Sequence, residues 1–282
     1  MNIKITTDST ADLPVELYKK YDIDVLSLPI ILGEHIYKDE DEETIESIYD
    51  NVENHNIFPT TCAANISDYI DLFGKWLAQG YDSVIHFNIG SVFSSSYQNA
   101  CIAAEQFDNV YVVDTKNLST GQGIIALRAA ESVQLGKSVK EITKECIFLI
   151  SRVKTSFVID TLDYLYKGGR CSAVAFLGGN ILKIKPSIEV EAGKMAIAKK
   201  YHGKFDKIIL EYIKDRLKGS ENIDQKRIYI THTRCREEVV RAVIEEIRRL
   251  CPDCKEIIET TAGATITSHC GPNTIGIAYI KK

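Results

Sequence analysis

Residues 83–134 read SVIHFNIGSVFSSSYQNACIAAEQFDNVYVVDTKNLSTGQGIIALRAAESVQ. Ser83–Asn88 is a short run of strand-forming residues. Ser95–Gln106 spaces small and apolar residues as a helix does, Val110–Val113 is a second apolar run, and Gly121–Gln134 is an Ala-rich helical stretch. Strand and helix signals alternating at this spacing predict a βαβ unit, and with it a mainly parallel sheet covered by helices on both faces. Ligands of such sheets sit beyond the carboxyl ends of the strands, where loops lead into helices. The serine cluster Ser94-Ser95-Ser96 lies at one such junction, and hydroxyls and free N–H groups at a helix start suit an anion. The simpler reading of these serines is helix capping.

The same alternation extends outward. Ile3–Thr6 and Asp24–Ile31 read as buried strands. An acidic run, Asp39-Glu40-Asp41-Glu42-Glu43, precedes helical spacing at Ile45, Ile48, Tyr49 and Val52, where acids complement the helix dipole. Helices are predicted over Ser67–Gln79 and Val139–Ser151, and Thr60-Thr61 repeats the hydroxyl pattern just ahead of a helix. The second half reads differently, with a strand at Ser156–Asp160 and helical segments at Leu162–Lys167 and Cys171–Leu182. A hairpin follows (Ser187–Glu191 and Met195–Lys200, turning at Ala192-Gly193-Lys194). Beyond it come helices at Phe205–Leu217 and Arg236–Leu250 and strands at Arg227–Thr231, Glu256–Thr260 and Thr274–Ile280. A mixed sheet fits this half better than a parallel one.

Composition is that of an ordinary globular protein, with 45% hydrophobic and 26% charged residues in 282. No window approaches the roughly 20 apolar residues of a membrane span. The N-terminus lacks a signal-peptide pattern, so a cytoplasmic protein without integral membrane contact is expected. Most of the eight cysteines are then expected to be reduced, buried small hydrophobes rather than a disulfide framework. Residues 1–150 hold 10 Lys and Arg against 23 Asp and Glu (net −13), and residues 151–282 hold 24 against 16 (net +8). No aromatic-interleaved basic stripe accompanies this asymmetry, so nucleic acid is not expected as a partner. The asymmetry predicts two unlike α/β domains, an acidic one over 1–152 and a basic one over 153–282, or a basic face for an anionic ligand or acidic partner.

Three motifs suggest other chemistry. Gly121-Gln122-Gly123-Ile124-Ile125-Ala126 matches a relaxed dinucleotide fingerprint after a strand, although about seven residues separate it from the strand end. No GxxxxGK[ST] loop is present, so the chain is not expected to bind ATP, and no cofactor is expected. His232, Cys235, Cys251 and Cys254 have zinc-ribbon spacing. The predicted intervening helix would hold the pairs on the order of 20 Å apart, so a zinc site requires that this helix not form. Ser94 with His269 permits an acyl hydrolase, but there is no G-x-S-x-G elbow and no acidic partner is singled out. His269 itself falls in an apparent Gly/Pro loop, Ser268-His269-Cys270-Gly271-Pro272.

Taken in order, a set of short motifs resembles the DegV family of bacterial fatty-acid-binding proteins over essentially the whole chain. They are Thr7-Asp8-Ser9-Thr10-Ala11-Asp12-Leu13-Pro14, Thr60-Thr61, Ile89–Ala100, Val113-Asp114-Thr115, Asp160–Leu165 with Gly168-Gly169-Arg170, Ile184-Lys185-Pro186, and His269-Cys270-Gly271-Pro272. The resemblance implies two α/β domains with a long-chain fatty acid between them, in a non-catalytic carrier. It implies ligand contacts at Thr61, Ser94, Ser95, His269 and Gly271. It also implies docking of a separate fatty acid kinase at Arg170 and His202, with acyl phosphate formed on the carrier for phospholipid metabolism. Val174-Ala175-Phe176-Leu177 and Ile181-Leu182 are candidate lining for the acyl tail. The sequence departs from the family pattern where Cys62-Ala63-Ala64 follows Thr60-Thr61, where Ser95 replaces a glycine, and where His202 replaces an arginine.

Overall fold

The computed structural model describes residues 2–170 and 184–282. In chain order the first elements are β1 (Ile3–Asp8), α1 (Val15–Lys20), β2 (Ile23–Leu26), β3 (Pro29–Leu32), β4 (His35–Lys38), α2 (Glu42–His55), β5 (Thr60–Thr61) and α3 (Ile66–Ala78). Then come β6 (Ser83–Asn88), α4 (Ser96–Ala104), β7 (Val110–Asp114), α5 (Thr120–Gln134) and α6 (Val139–Ile150). The remainder is β8 (Val153–Val158), α7 (Asp163–Gly168), β9 (Ile184–Glu191), β10 (Lys194–His202), α8 (Phe205–Arg216), β11 (Ile223–Thr233), α9 (Glu237–Leu250), β12 (Glu256–Thr261), α10 (Ala264–Cys270) and β13 (Thr274–Lys281).

The βαβ expectation holds. Strands β2-β1-β6-β7 form an all-parallel sheet whose central strands, β1 and β6, are buried along their whole length. Strands covered on both faces are the ones that read as near-continuous apolar runs. The second sheet, β10-β9-β8-β13-β11-β12, is mixed: only β11 and β12 run parallel. The β9–β10 hairpin turns through Ala192 (φ 49°) and Gly193 (φ 78°), two left-handed residues in succession as a type I′ turn requires.

The single strand expected over Asp24–Ile31 is instead two. β2 leaves the parallel sheet at Leu26, and β3 begins at Pro29 in a separate antiparallel sheet of order β4-β3-β5. Proline cannot donate to a ladder, so it starts a strand more readily than it continues one. Two short helices, α1 and α10, were not anticipated: six or seven residues are too few for a 3.6-residue period to show. The helix expected over Cys171–Leu182 lies outside the described residues.

Helix α5 joins the two large sheets. Eleven of its residues are buried, because it packs between Ile3, Ile5 and Phe87 of the parallel sheet and Tyr229, Ala278 and Ile280 of the mixed one. A helix apolar on every side is a buried helix, and here burial explains the alanine content. The fingerprint glycines serve the same packing. A Cβ on Gly121 would fall 2.1 Å from both Asn117 Oδ1 and Thr155 Oγ1, and one on Gly123 would fall 2.5 Å from the Ala11 carbonyl oxygen. Gln122, between them, donates from Nε2 to Asp8 Oδ1 and Thr7 Oγ1, both at 2.9 Å. That space is filled by protein, with no room for a pyrophosphate. The unlike charges of the two halves meet beside α5, where Glu131 accepts from Lys226 (2.6 Å) and Arg227 (2.5 Å).

Candidate functional site

Between the two sheets an apolar cluster gathers Ile89, Phe93 and Leu118 from the loops after β6 and β7 with Phe157, Leu165, Ile188 and Ile266 from the other side. It does not close completely. About 700 Å³ of empty space remains, partly continuous with solvent, walled by Leu28, Ile89, Phe93, Leu118, Phe157, Leu165, Met195 and Ile266. Thr61, Ser94, Ser95, Arg170, Thr265 and His269 line the same cavity. Residues more than 200 positions apart in sequence thus line one cavity, by routes the sequence did not indicate.

Thr61 does not sit on the rim of the parallel sheet. It ends β5, paired with Ile30 of β3. Ser94 lies in the loop between β6 and α4, where its Oγ accepts from the Ser96 N–H (3.2 Å) and lies 2.9 Å from Ser96 Oγ. It therefore holds the first N–H of α4 from just ahead of the N-cap residue Ser95, and lines the cavity as well. His269 is not in a loop: α10 carries it, and Gly271 (φ 68°) ends that helix. Gly271 does not line the cavity. A Cβ there would fall 2.5 Å from the Tyr164 ring, so glycine at this position serves close packing and a left-handed turn.

His269 Nε2 lies 2.9 Å from Thr61 Oγ1, and Nδ1 has no hydrogen-bond partner among the described residues. Burial, assisted by the Arg170 charge, pushes its pKa down to about 4, so the ring is neutral at pH 7. With Nε2 protonated the ring donates to Thr61 Oγ1, which leaves the threonine hydroxyl proton free to donate into the cavity. The Gly168-Gly169 pair fits this arrangement. A Cβ on Gly168 would fall 2.1 Å from His269 Nδ1, and Gly169 takes the left-handed φ of 65° that ends α7. The first glycine makes room for the imidazole, and the second turns the chain.

Among the described residues no Ser–His dyad forms at this site: Ser94 pairs with Ser96, and His269 with Thr61. The triad logic of an acyl hydrolase needs a serine on one ring nitrogen and an orienting acid on the other. The zinc spacing dissolves for the expected reason, since α9 intervenes between the pairs. Cys235 and Cys254 instead donate to the carbonyl oxygens of Thr274 and Glu256. Among the described residues no group of three His, Cys, Asp or Glu side chains is placed to hold a metal ion.

Arg170 is exposed at the cavity's edge, donating from Nη1 to the Gly168 carbonyl oxygen (3.0 Å). His202 is exposed at the end of the edge strand β10 and does not line the cavity. The tail-lining candidates Val174–Leu177, Ile181 and Leu182 lie outside the described residues. Sequence reasoning missed Thr265 and three buried carboxylates, Asp8, Asp12 and Asp39, that stand close to the site. Burial raises the pKa of each, that of Asp39 to about 6. The sequence reads Asp39 as one of a run of acids complementing the start of a helix, yet its side chain turns inward to Ser9.

Fold and site together define an α/β protein whose two large sheets flank a partly open, mostly apolar cavity with a hydroxyl–imidazole cluster in its wall. The chain belongs to the DegV family: the family profile described as "Uncharacterised protein, DegV family" matches residues 2–282. A DegV domain-containing protein of Clostridium acetobutylicum is 34% identical over 99% of both chains. A Thermotoga maritima relative named "Fatty acid-binding protein" is 30% identical over 98% of this chain and 96% of its own. The solved structure "Fatty Acid Binding of a DegV family Protein from Thermus thermophilus" covers 100% of both chains at 31% identity with a TM-score of 0.88. Among the described residues no helix is long and apolar enough to cross a membrane.

Proposed function

We propose that this protein binds a long-chain fatty acid in the cavity between its sheets, with the carboxylate held by the hydroxyls of Thr61, Ser94 and Ser95 beside His269. One observation carries the reading: a mostly apolar cavity whose wall gathers the hydroxyls of Thr61, Ser94, Ser95 and Thr265 beside a neutral imidazole, with the Arg170 guanidinium at its edge. A buried carboxylate must be repaid in hydrogen bonds, and hydroxyls supply them without a strongly hydrated ammonium group. An acyl tail repays its own burial at roughly 0.8 kcal/mol per methylene. The fatty-acid-binding relatives support the same assignment.

The protein acts as a carrier that presents the acyl group to a separate fatty acid kinase, which docks near Arg170 and His202. The net charge of +8 on residues 151–282 and the position of Arg170 at the cavity's edge support that docking face. Denaturing protein purified without added lipid, and identifying what is released by mass spectrometry, tests the core of the proposal. About one fatty acid per chain is expected. Protein that releases none, and that takes up no palmitate on titration, sinks it.

A further inference from the structure

We infer that the turn Asp8–Asp12 and the side chain of Asp39 form a carboxylate latch on the His269-bearing helix, with Asp12 and Asp39 as positioning residues for the ligand site. The inference rests on the fatty-acid reading of that site. Three consecutive N–H groups at the start of α10 are taken by these two residues. Gly263 donates to Asp12 Oδ1 (2.9 Å), Ala264 to the Asp39 carbonyl oxygen (3.1 Å), and Thr265 to Asp39 Oδ1 (2.5 Å). The second oxygens are fixed in turn: Ser119 Oγ donates to Asp12 Oδ2, and Ser9 Oγ donates to Asp39 Oδ2, both at 2.5 Å.

The same turn grips the other side of the cavity. Asp8 Oδ2 accepts from the Ile89 N–H (2.8 Å), where the loop toward Ser94 begins. One short segment after β1 therefore holds both the serine loop and the histidine helix, which gives the Thr7–Asp12 motif a role. Gly263 fits this contact. Its φ of −65° suits any residue, but a Cβ would stand 2.9 Å from Asp39 Oδ1 and 3.4 Å from Asp12 Oδ1. Packing three carboxylates together out of water is costly, and a single serine would suffice for ordinary capping.

Asp39→Ala, Asp39→Asn and Gly263→Ala test the latch, with two readouts. The first is the ¹⁵N–¹H spectrum of the His269 ring in ligand-free protein; the second is palmitate affinity. Asp39→Ala and Gly263→Ala are expected to shift the His269 resonances and to weaken palmitate binding about tenfold, the scale of one lost hydrogen bond to a charged group. Asp39→Asn keeps the Oδ1 acceptor for Thr265, and Ser9 Oγ can accept from its Nδ2, so both readouts should stay near wild type. Unmoved His269 resonances in the alanine variants overturn the latch whatever happens to the melting temperature. So does an Asp39→Asn protein as impaired as Asp39→Ala, or ring resonances that move while palmitate affinity does not. If Asp39→Ala fails to fold, Gly263→Ala decides. If the wild type itself binds no palmitate, the fatty-acid reading falls and the ligand-free spectra alone judge the latch.

Discussion

Thr61→Val removes one hydroxyl and little else. The side chain stays β-branched, which suits its place in β5, and only the contact of Thr61 Oγ1 with His269 Nε2 at 2.9 Å is lost. Two consequences differ in kind. In the ligand-free protein the largely enclosed imidazole loses its partner, a cost of about 1–3 kcal/mol for an unsatisfied polar group. In the complex the carboxylate also loses a donor, and a charge-assisted bond is worth roughly 1.5–3 kcal/mol, or about ten- to a hundredfold in affinity. Fluorescence titration with palmitate reads the second effect and thermal or denaturant unfolding the first. Combining Thr61→Val with His269→Phe, which keeps a ring over Gly168 without its nitrogens, should give clearly less than the sum of the two single losses. Strictly additive affinity losses would mean that threonine and histidine act independently, and an unchanged affinity in Thr61→Val would remove that hydroxyl from the ligand.

Further outcomes follow from other residues. Gly168→Ala places a methyl 2.1 Å from His269 Nδ1; palmitate affinity should fall toward that of His269→Phe even though alanine favours the α7 helix, and unchanged affinity would refute the packing role. Gly121→Ala, which meets Asn117 and Thr155 at 2.1 Å, should cost about 1–3 kcal/mol of stability by overpacking, and a neutral result in a melt would mean α5 has slack between the sheets. Arg170→Glu should slow kinase association and make it less salt-sensitive while leaving palmitate affinity nearly unchanged; a loss as large as that of Thr61→Val would assign this arginine to the ligand instead. Burial pushes the pKa of His86 down to about 3 and that of His269 to about 4, so each contributes stability that is present above the unfolded value near 6.5 and is lost as pH falls. Asp39 runs the other way: raised to about 6 from 3.8, it contributes stability that is full below about 3.8 and lost as pH rises through 6. Asp39→Asn removes that counterweight, so its stability should fall more steeply than wild type between pH 6 and 4, by about 1.4 kcal/mol per unit; parallel curves would contradict the raised carboxyl.

What could be read from the chain was what depends on neighbours. The strands β6 and β7, the helices α5 and α9 and the hairpin turn at Ala192-Gly193 each carry their signal within a dozen residues. Thr61, Ser94 and His269 came from the family resemblance, and their convergence on one cavity wall is a property of the fold. Residues whose meaning comes from a distant partner were misread. Asp39 reads as one more acid before a helix because it sits in the run Asp39–Glu43, and its partner Thr265 is 226 positions away. His269 looked like a loop residue because Gly271 and Pro272 mark a break, and the seven-residue helix before them is too short to show a period. The glycines at 121 and 123 imitated a cofactor motif because glycine records only that something stands close. Here a side chain and a strand stand where a phosphate would.

The burial of α5 bears on how a ligand exchanges. Drawing the two sheets apart would strip Ile124, Ile125, Leu127 and their neighbours of the surfaces that cover them, and it would break the pairing of Glu131 with Lys226 and Arg227. At about 25 cal/mol per Å² of apolar surface, exposing those buried side chains makes that motion costly. Under the proposed function, the cheaper route for a lipid is past the cavity's edge while the sheets stay joined. Its residence time is then set by local rearrangement at that edge, and variants that merely loosen the core should shorten the protein's lifetime without hastening release.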